Sequence, residues 1–254
     1  LLFNKQVLVR SGLIFLMCAA SNVAFSICPT PFISSTSNTF GVSICSSPSV
    51  PSRYHSHAEN VLHNLLDYND DLVPDNKKVL TEMLSNQAVF LVLSEEGQLE
   101  LYERKSGDHF NFTVVYTEEM ALNDVSQFDA TIEEALHLVT AEGYSKAYPD
   151  FFGEFQGSKI STFLDIARGG NFSKVPKKYP SKAYFTYYDR TCDYGCQITE
   201  FLYWAITTLR GQQKHYWRDS EIEEEWMPET TEKILKLGPD LVEFLSKKEF
   251  AILY

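Results

Sequence analysis

The chain has 254 residues, 44% hydrophobic and 14% aromatic, which is enough apolar side chain for one large packed core or two small ones. Its formal net charge of −12 excludes the basic surface that nucleic acid or an anionic bilayer would require. Acid is spread along the chain, and its one dense run, Glu221 to Glu225, reads as a solvated helix face.

From the N-terminus, Lys5 and Arg10 flank an apolar run, Gly12 to Ala20, and Ala24-Phe25-Ser26 forms a small-x-small site. This is the pattern of a secretory signal over residues 1–26, and the run is too short to span a bilayer. The expectation is a secreted, extracellular protein with no stable membrane span. Cys18 would leave with the signal. Four cysteines remain, Cys28, Cys45, Cys192 and Cys196, and an even count in an exported chain reads as two disulfides. Proximity pairs Cys28 with Cys45 and Cys192 with Cys196, although three connectivities are open. A Cys-x3-Cys zinc half-site is the rival reading of the second pair. Asn111-Phe112-Thr113 and Asn171-Phe172-Ser173 are glycosylation sequons, which matter in a eukaryotic host.

Residues 27–54 are rich in Ser, Thr and Pro and read as an irregular leader ahead of a single α+β domain over 55–254. Residues 55–66 and 77–86 carry helical periodicity, through Ala58, Val61, Leu62 and Leu65, then Val79, Leu80, Met83 and Leu84. Together they predict a helical hairpin over 55–87. His55, His57 and His63 lie on or near one face of the first helix. They could bind a metal, but a polar helix start accounts for them as well.

Between the two helices, Asp67, Asn69, Asp71 and Asp75 resemble a calcium loop of the EF-hand or related kind, in which alternate oxygens wrap a hard cation. Leu72 stands where the sharp turn needs Gly, and Lys78 where an EF-hand supplies its bidentate Glu. The resemblance therefore implies a degenerate calcium loop with Asp75 as fourth ligand. The alternative is a solvated acidic loop.

Residues 88–93 and 99–102, around the turn Glu95-Glu96-Gly97, read as a β-hairpin, and 110–116 as a third strand of a small antiparallel sheet. Residues 129–144 read as a helix with Asp129 or Thr131 as N-cap and Gly143 as its stop. Further helices are expected over 158–168, 194–213, 228–237 and 239–247, with a Lys- and Pro-rich loop at 171–182 and an extended segment at 184–188. Arg168, at a helix end, could anchor a carboxylate or simply complement the helix dipole. The sequence has no Gly-rich phosphate loop, no G-x-S-x-G elbow and no basic-aromatic patch.

The 129–144 helix carries the candidate chemistry. Glu133 and His137 are four residues apart, neighbours on one helical face. Ile132, Ala135, Leu136 and Val139 form one apolar stripe, while Leu138 and Ala141 form another. A helix apolar on two sides is a buried helix, so Glu133, His137 and Tyr144 lie between packed faces. Glu200, among Phe201, Tyr203 and Trp204, is in the same position on a later helix. Buried carboxylates need partners, either hydrogen-bond donors or a metal. Glu133 and Glu134 are not a glycosidase pair, because adjacent helical residues point apart.

The run Glu133-Glu134-Ala135-Leu136-His137, followed by Thr199-Glu200-Phe201-Leu202-Tyr203-Trp204-Ala205, resembles the gluzincin type of zincin metallopeptidase over roughly residues 88–210. That family carries H-E-x-x-H on one helix and Glu on a second. The resemblance implies a zincin-like core: a small antiparallel sheet, an active-site helix, a second Glu-bearing helix, and helices elsewhere. It also implies Glu133, His137 and Glu200 as metal ligands and Glu134 as general base toward water. Apart from the resemblance, Tyr184, Tyr187 and Tyr188 lie before the second helix, and Tyr187 or Tyr188 could donate to an oxyanion near the metal, with plain packing as the alternative. Glu133 stands where the family has its first His. The exchange brings a divalent site from a net charge of about +1 to near zero, weakening its Lewis acidity and favouring harder ions such as Mn²⁺ or Ca²⁺ beside Zn²⁺. The expected function is a secreted metal-binding, metallopeptidase-like protein acting on a peptide or protein. The alternative is a non-enzymatic extracellular binding or structural domain, with calcium as a possible stabiliser.

Overall fold

Residues 28, 35–100, 111–122, 124, 126–215 and 217–253 are described by a computed structural model. The expected signal segment, and residues 101, 102 and 110 of the expected strands, lie outside the described residues.

The Ser- and Thr-rich segment expected to be irregular forms strands β1 (Ser35–Thr39) and β2 (Val42–Ser46). They are joined by Phe40 and Gly41, at φ 50° and 95°, the two left-handed residues of a tight hairpin turn. β2 lies inside a mixed sheet in the order β1-β2-β3-β4, antiparallel to β1 and parallel to β3 (Val89–Leu93). All five of its residues are buried. Val42 and Ile44 face the main core, and Cys45 faces a smaller cluster with Val89 and Leu91 on the other side. A strand covered on both faces does not alternate apolar and polar residues, so period-2 reading misses it. Its last hydroxyl, Ser46 Oγ, lies 2.6 Å from His55 Nδ1, and Ser47 Oγ just beyond the strand donates to Gln98 at 2.8 Å.

The predicted antiparallel hairpin is also corrected. Residues 96–100 are helical, and β4 (Phe112–Tyr116) pairs with β3 in parallel, Leu91 opposite Val114. A parallel pair needs a crossover, and the segment starting at residue 96 begins one.

Helices α1 (Ser52–Leu66) and α2 (Lys77–Ser85) match the periodicity. They do not stand apart as a hairpin: α1 packs on the sheet and on α3, and α2 on the segment after α3. The helix expected to stop at Gly143 runs on. α3 (Ala130–Leu138), capped by Asp129, continues as a π-helical segment, Val139–Tyr144, and then a turn, Ser145–Ala147. Gly143 instead serves close packing, since a Cβ there would meet Val79 Cγ1 at 2.5 Å. α4 (Lys159–Ala167), α5 (Tyr194–Leu209), α6 (Thr231–Leu237) and α7 (Pro239–Leu245) fall where expected. The extended 184–188 segment makes one bridge, Phe185 with Trp226.

One continuous apolar cluster runs from Val42 to Ile252, so residues before 55 belong to the same core. Its C-terminal part is an aromatic box in which Phe152 meets Tyr144, Phe244 and Phe250 at ring distances of 5.2, 5.1 and 4.9 Å. The disulfides are Cys28–Cys45, tying residue 28 to β2, and Cys192–Cys196, at the first turn of α5. Among the described residues no helix is long and apolar enough to cross a membrane.

Candidate metal centre

α3 is held at its start by Asp129. This carboxylate accepts from Thr131 N as N-cap and pairs with His57 of α1. Midway along, Thr113 Oγ1 of β4 donates to the Glu134 carbonyl at 2.8 Å. At its end Thr140 Oγ1 turns back onto the Leu136 and His137 carbonyls, at 2.9 and 3.2 Å, where the π-helical segment begins. Three attachments therefore fix the stretch that carries Glu133, Glu134 and His137.

α5 is buried nearly all round, with Ile198, Phe201, Leu202 and Ala205 at 1% exposure or less. It lies against α3 so that Glu200 and Tyr203, on one helical face, both meet α3. His137 Nε2 is 3.6 Å from Glu200 Oε2, and the His137 ring packs edge-on against Tyr203 at 5.8 Å. Glu133, His137 and Glu200 each bring one donor atom to a spot where all three lie within 4.8 Å of one another. Residues more than 60 positions apart in sequence thus form the trio expected of a metal site. His137 Nε2 is buried and has no hydrogen-bond partner in the protein. The free imidazole lone pair, beside two carboxylates, makes a mixed nitrogen and oxygen donor set that fits a divalent cation.

Glu134 Oε2 is 3.9 Å from His137 Nδ1, and its side chain is 30% exposed against 12% for His137 and 13% for Glu200. It is the most exposed of these three side chains. Tyr187 stands near Glu200, whose charge acts on its phenol. Tyr188 is half-exposed and packs edge-on against Tyr179, so its ring contact is away from Glu200.

Sequence reading missed four further residues. Tyr203 packs edge-on against the His137 ring, and the charges of Arg218 and Glu225 act on the Glu133 carboxyl. Gln213 reaches the Tyr203 hydroxyl. The position of Tyr203, one turn after Glu200, was the available signal. In the acidic run Glu221, Glu223 and Glu224 are exposed, as expected of a solvated face, and only Glu225 is half-buried. Thr186 N donates to the Glu225 carbonyl at 2.8 Å, and the bridge of Phe185 with Trp226 pins that segment beside the cluster.

Burial pushes the Glu133 carboxyl up to about 7, opposed by Tyr203 and Arg218. It pushes Glu134 up to about 8, with Glu133 and Glu119 adding to it. It raises Glu200 to about 8, with Glu133 and Glu134 adding to it. Burial pulls His137 down to about 4, so the imidazole is neutral at neutral pH. Without a cation the cluster holds protons, and a divalent cation would displace them.

A stability prediction follows. Between pH 6.5 and 8 the folded chain keeps carboxyl protons that the unfolded chain has lost, so folding stability falls as pH rises. His137 acts in the opposite direction only below its ordinary value of 6.5. Each such proton is worth about 1.4 kcal/mol per pH unit, roughly 3–5 °C in Tm. The Tm of EDTA-treated protein is expected to drop from pH 6.5 to 8.5, and to drop less in Glu133→Gln. A flat profile in the parent would refute it.

The acidic loop is organised differently from the expected calcium ring. Asp67 accepts from Asp71 N and Leu72 N, Asp71 from Val73 N and the Asn69 amide, and Asp75 from Tyr68 N. Leu72 itself adopts φ 65°, the left-handed conformation for which Gly was wanted. The donor atoms that converge there belong to His63, Asp67 and Asp70. The other α1 histidines point elsewhere, His55 between Ser37 and Ser46 and His57 at Asp129, so the three do not form one site. The sequons Asn111 and Asn171 are exposed, and Asn111 donates to the Asn86 carbonyl. Arg168 does anchor a carboxylate, that of Asp165, inside the fold.

No family model, curated protein or solved structure matches the chain.

Proposed function

We propose that this is a secreted, zincin-like metal-dependent hydrolase of peptide bonds. Glu133, His137 and Glu200 hold a divalent first-row ion, and Glu134 is the general base. The observation carrying this reading is the meeting of three donor atoms within 4.8 Å, one of them a buried His137 Nε2 with no other partner. The bound cation supplies Lewis acidity to water and to the scissile carbonyl. Glu134, more exposed than His137 and Glu200, takes the proton from the attacking water and passes it to the leaving amine. Tyr187 stands near Glu200, Glu225 and Glu133. Burial and the neighbouring carboxylates hold its phenol protonated well above the ordinary tyrosine value, so it remains a donor. The two disulfides support export.

A second reading rests on the same carboxyls. Burial raises Glu133, Glu134 and Glu200, and protonated carboxyls suit a non-catalytic extracellular binding domain. Elemental mass spectrometry of the purified chain, beside the His137→Ala/Glu200→Ala variant, separates them. About one equivalent of zinc or manganese is expected in the parent and none in the variant. A parent that retains neither ion after incubation and dialysis would leave the binding domain as the surviving reading. Calcium retained equally by both proteins would point instead to the Asp67–Asp75 loop.

A further inference from the structure

We propose that the cavity between α1, α3 and the end of α5 is a separate binding site, for a small organic acid with an apolar body and a hydroxyl or amine beside its carboxylate. The inference goes beyond the metal reading and stands without it. Ile132, the α3 residue at the cavity, lies on the apolar stripe of that helix and not on the face of Glu133 and His137.

The cavity has a volume of about 490 Å³, within the range of small-ligand sites. Val61 and Leu65 of α1, Ile132 of α3 and the Tyr68 ring form its apolar walls, and Arg210 and Gln212 supply polar groups. These two are placed by the way α5 stops. Gly211 takes φ 72°, Gly211 N donates to the Thr208 carbonyl at 2.9 Å, and Gln212 N donates to the Thr207 carbonyl at 2.8 Å. This paired return is a Schellman turn, and its left-handed position favours Gly. Arg210 and Gln212 therefore line the cavity from a backbone that is fixed on both sides of Gly211.

Both side chains have unmet hydrogen-bonding capacity. A guanidinium has five N–H donors. Among the described residues that of Arg210 makes one hydrogen bond, from Nη2 to the Ile252 carbonyl at 3.1 Å, and its buried Nε has no partner. It lies 5.4 Å from the Tyr68 ring centre, a cation held on an aromatic face. No carboxylate of the described residues comes within 4 Å of it, whereas Arg168 has Asp165 and Arg218 has Glu221. Asp75 acts on it only as a more distant charge, and that carboxylate accepts from Tyr68 N at 2.8 Å. A half-buried cation without a counter-ion is costly, and a bound carboxylate offsets the cost. Gln212 Oε1 is likewise buried without a partner, so the ligand must bring a donor as well. A bare inorganic anion would leave the walls of Val61, Leu65 and Ile132 uncovered, and a hydrocarbon would leave Arg210 and Gln212 unmet. A hydroxy or amino acid with an apolar body satisfies all three.

The test is calorimetry on the full chain, treated with EDTA so that no bound metal contributes. The probes are phenyllactate, phenylpropionate, which lacks the hydroxyl, phenyllactamide, which lacks the charge, and inorganic phosphate. Phenyllactate is expected to bind with a millimolar or tighter dissociation constant, the usual range for about a dozen non-hydrogen atoms. Phenyllactamide is expected to bind about 10- to 100-fold more weakly, the effect of losing a charged hydrogen bond. Arg210→Met is expected to weaken phenyllactate by the same factor and to leave phenyllactamide unchanged. Gln212→Leu is expected to bring phenyllactate and phenylpropionate within about twofold of each other, which a merely loosened fold would not do. Leu65→Trp fills the cavity from α1 and is expected to abolish binding of both acids with Arg210 in place. No saturation of the parent by phenyllactate up to about 10 mM would overturn the proposal. So would an Arg210→Met or Leu65→Trp variant that binds phenyllactate as the parent does, or phosphate binding as tightly as phenyllactate. None of these outcomes bears on the metal reading.

Discussion

Glu134→Gln is expected to leave bound metal in place and to slow peptide hydrolysis by about 10²- to 10⁴-fold, the usual weight of a general base. The amide is isosteric with the carboxyl, so packing is preserved. It cannot accept a proton from water at neutral pH, so the chemistry is lost. Glu134 is one residue from Glu133, but it is not among the three groups whose donor atoms converge. It is also more exposed than His137 or Glu200. In the metal-free cluster burial pushes its carboxyl up to about 8, chiefly by desolvation and then by Glu133 and Glu119. A cation nearby favours the charged form and restores a base at neutral pH. The measurement is turnover of a quenched fluorescent peptide, with metal content read on the same samples. Unchanged turnover would remove Glu134 from catalysis, and loss of metal would make it a ligand instead.

Arg168→Met is expected to destabilise the fold by about 3–5 kcal/mol, the typical effect of breaking a buried charge pair from one side. The Arg168 side chain is fully buried at the end of α4. Its guanidinium donates to Asp165 at 2.6 Å, to Gln197 Oε1 at 2.5 Å and to the Phe172 carbonyl at 3.1 Å. Met fills much of the volume but leaves the buried Gln197 carbonyl oxygen without the guanidinium and Asp165 with only the Tyr194 hydroxyl as donor. Gln197 sits in the first turn of α5, three residues before Glu200, so the loss loosens the helix that brings Glu200 to His137. Urea unfolding checks this, with a lowered midpoint as the expected result. Arg168→Lys should recover little, since a single ammonium cannot serve three acceptors in one plane. A midpoint shift under 1 kcal/mol equivalent would show that water replaces the lost contacts.

The helices were legible because their information is local. The spacing of Val79 and Met83, or of Ile160 and Leu164, states which face is apolar whatever it packs against. Asp129, Ser158 and Asp193 cap α3, α4 and α5 by bonds that span only two or three residues. The pairing of Glu133 with His137 was legible for the same reason, as was each disulfide, whose cysteines lie 17 and 4 residues apart. The sheet was not legible. β2 is made of Val42, Ser43, Ile44, Cys45 and Ser46, and nothing local tells a polar leader from a strand covered on both sides. Whether β3 meets its neighbour in parallel or antiparallel is decided by a crossover, not by the strand.

The sequence by itself pointed to the longer helices, to a pairing of neighbouring cysteines and to three candidate ligands. Only the tertiary structure decided that Glu200 faces His137, that Tyr203 packs against the His137 ring, and that Glu225 comes near the cluster. Those contacts join groups tens of residues apart. Burial then changes their charge state, and burial belongs to the packed whole and not to any stretch of chain.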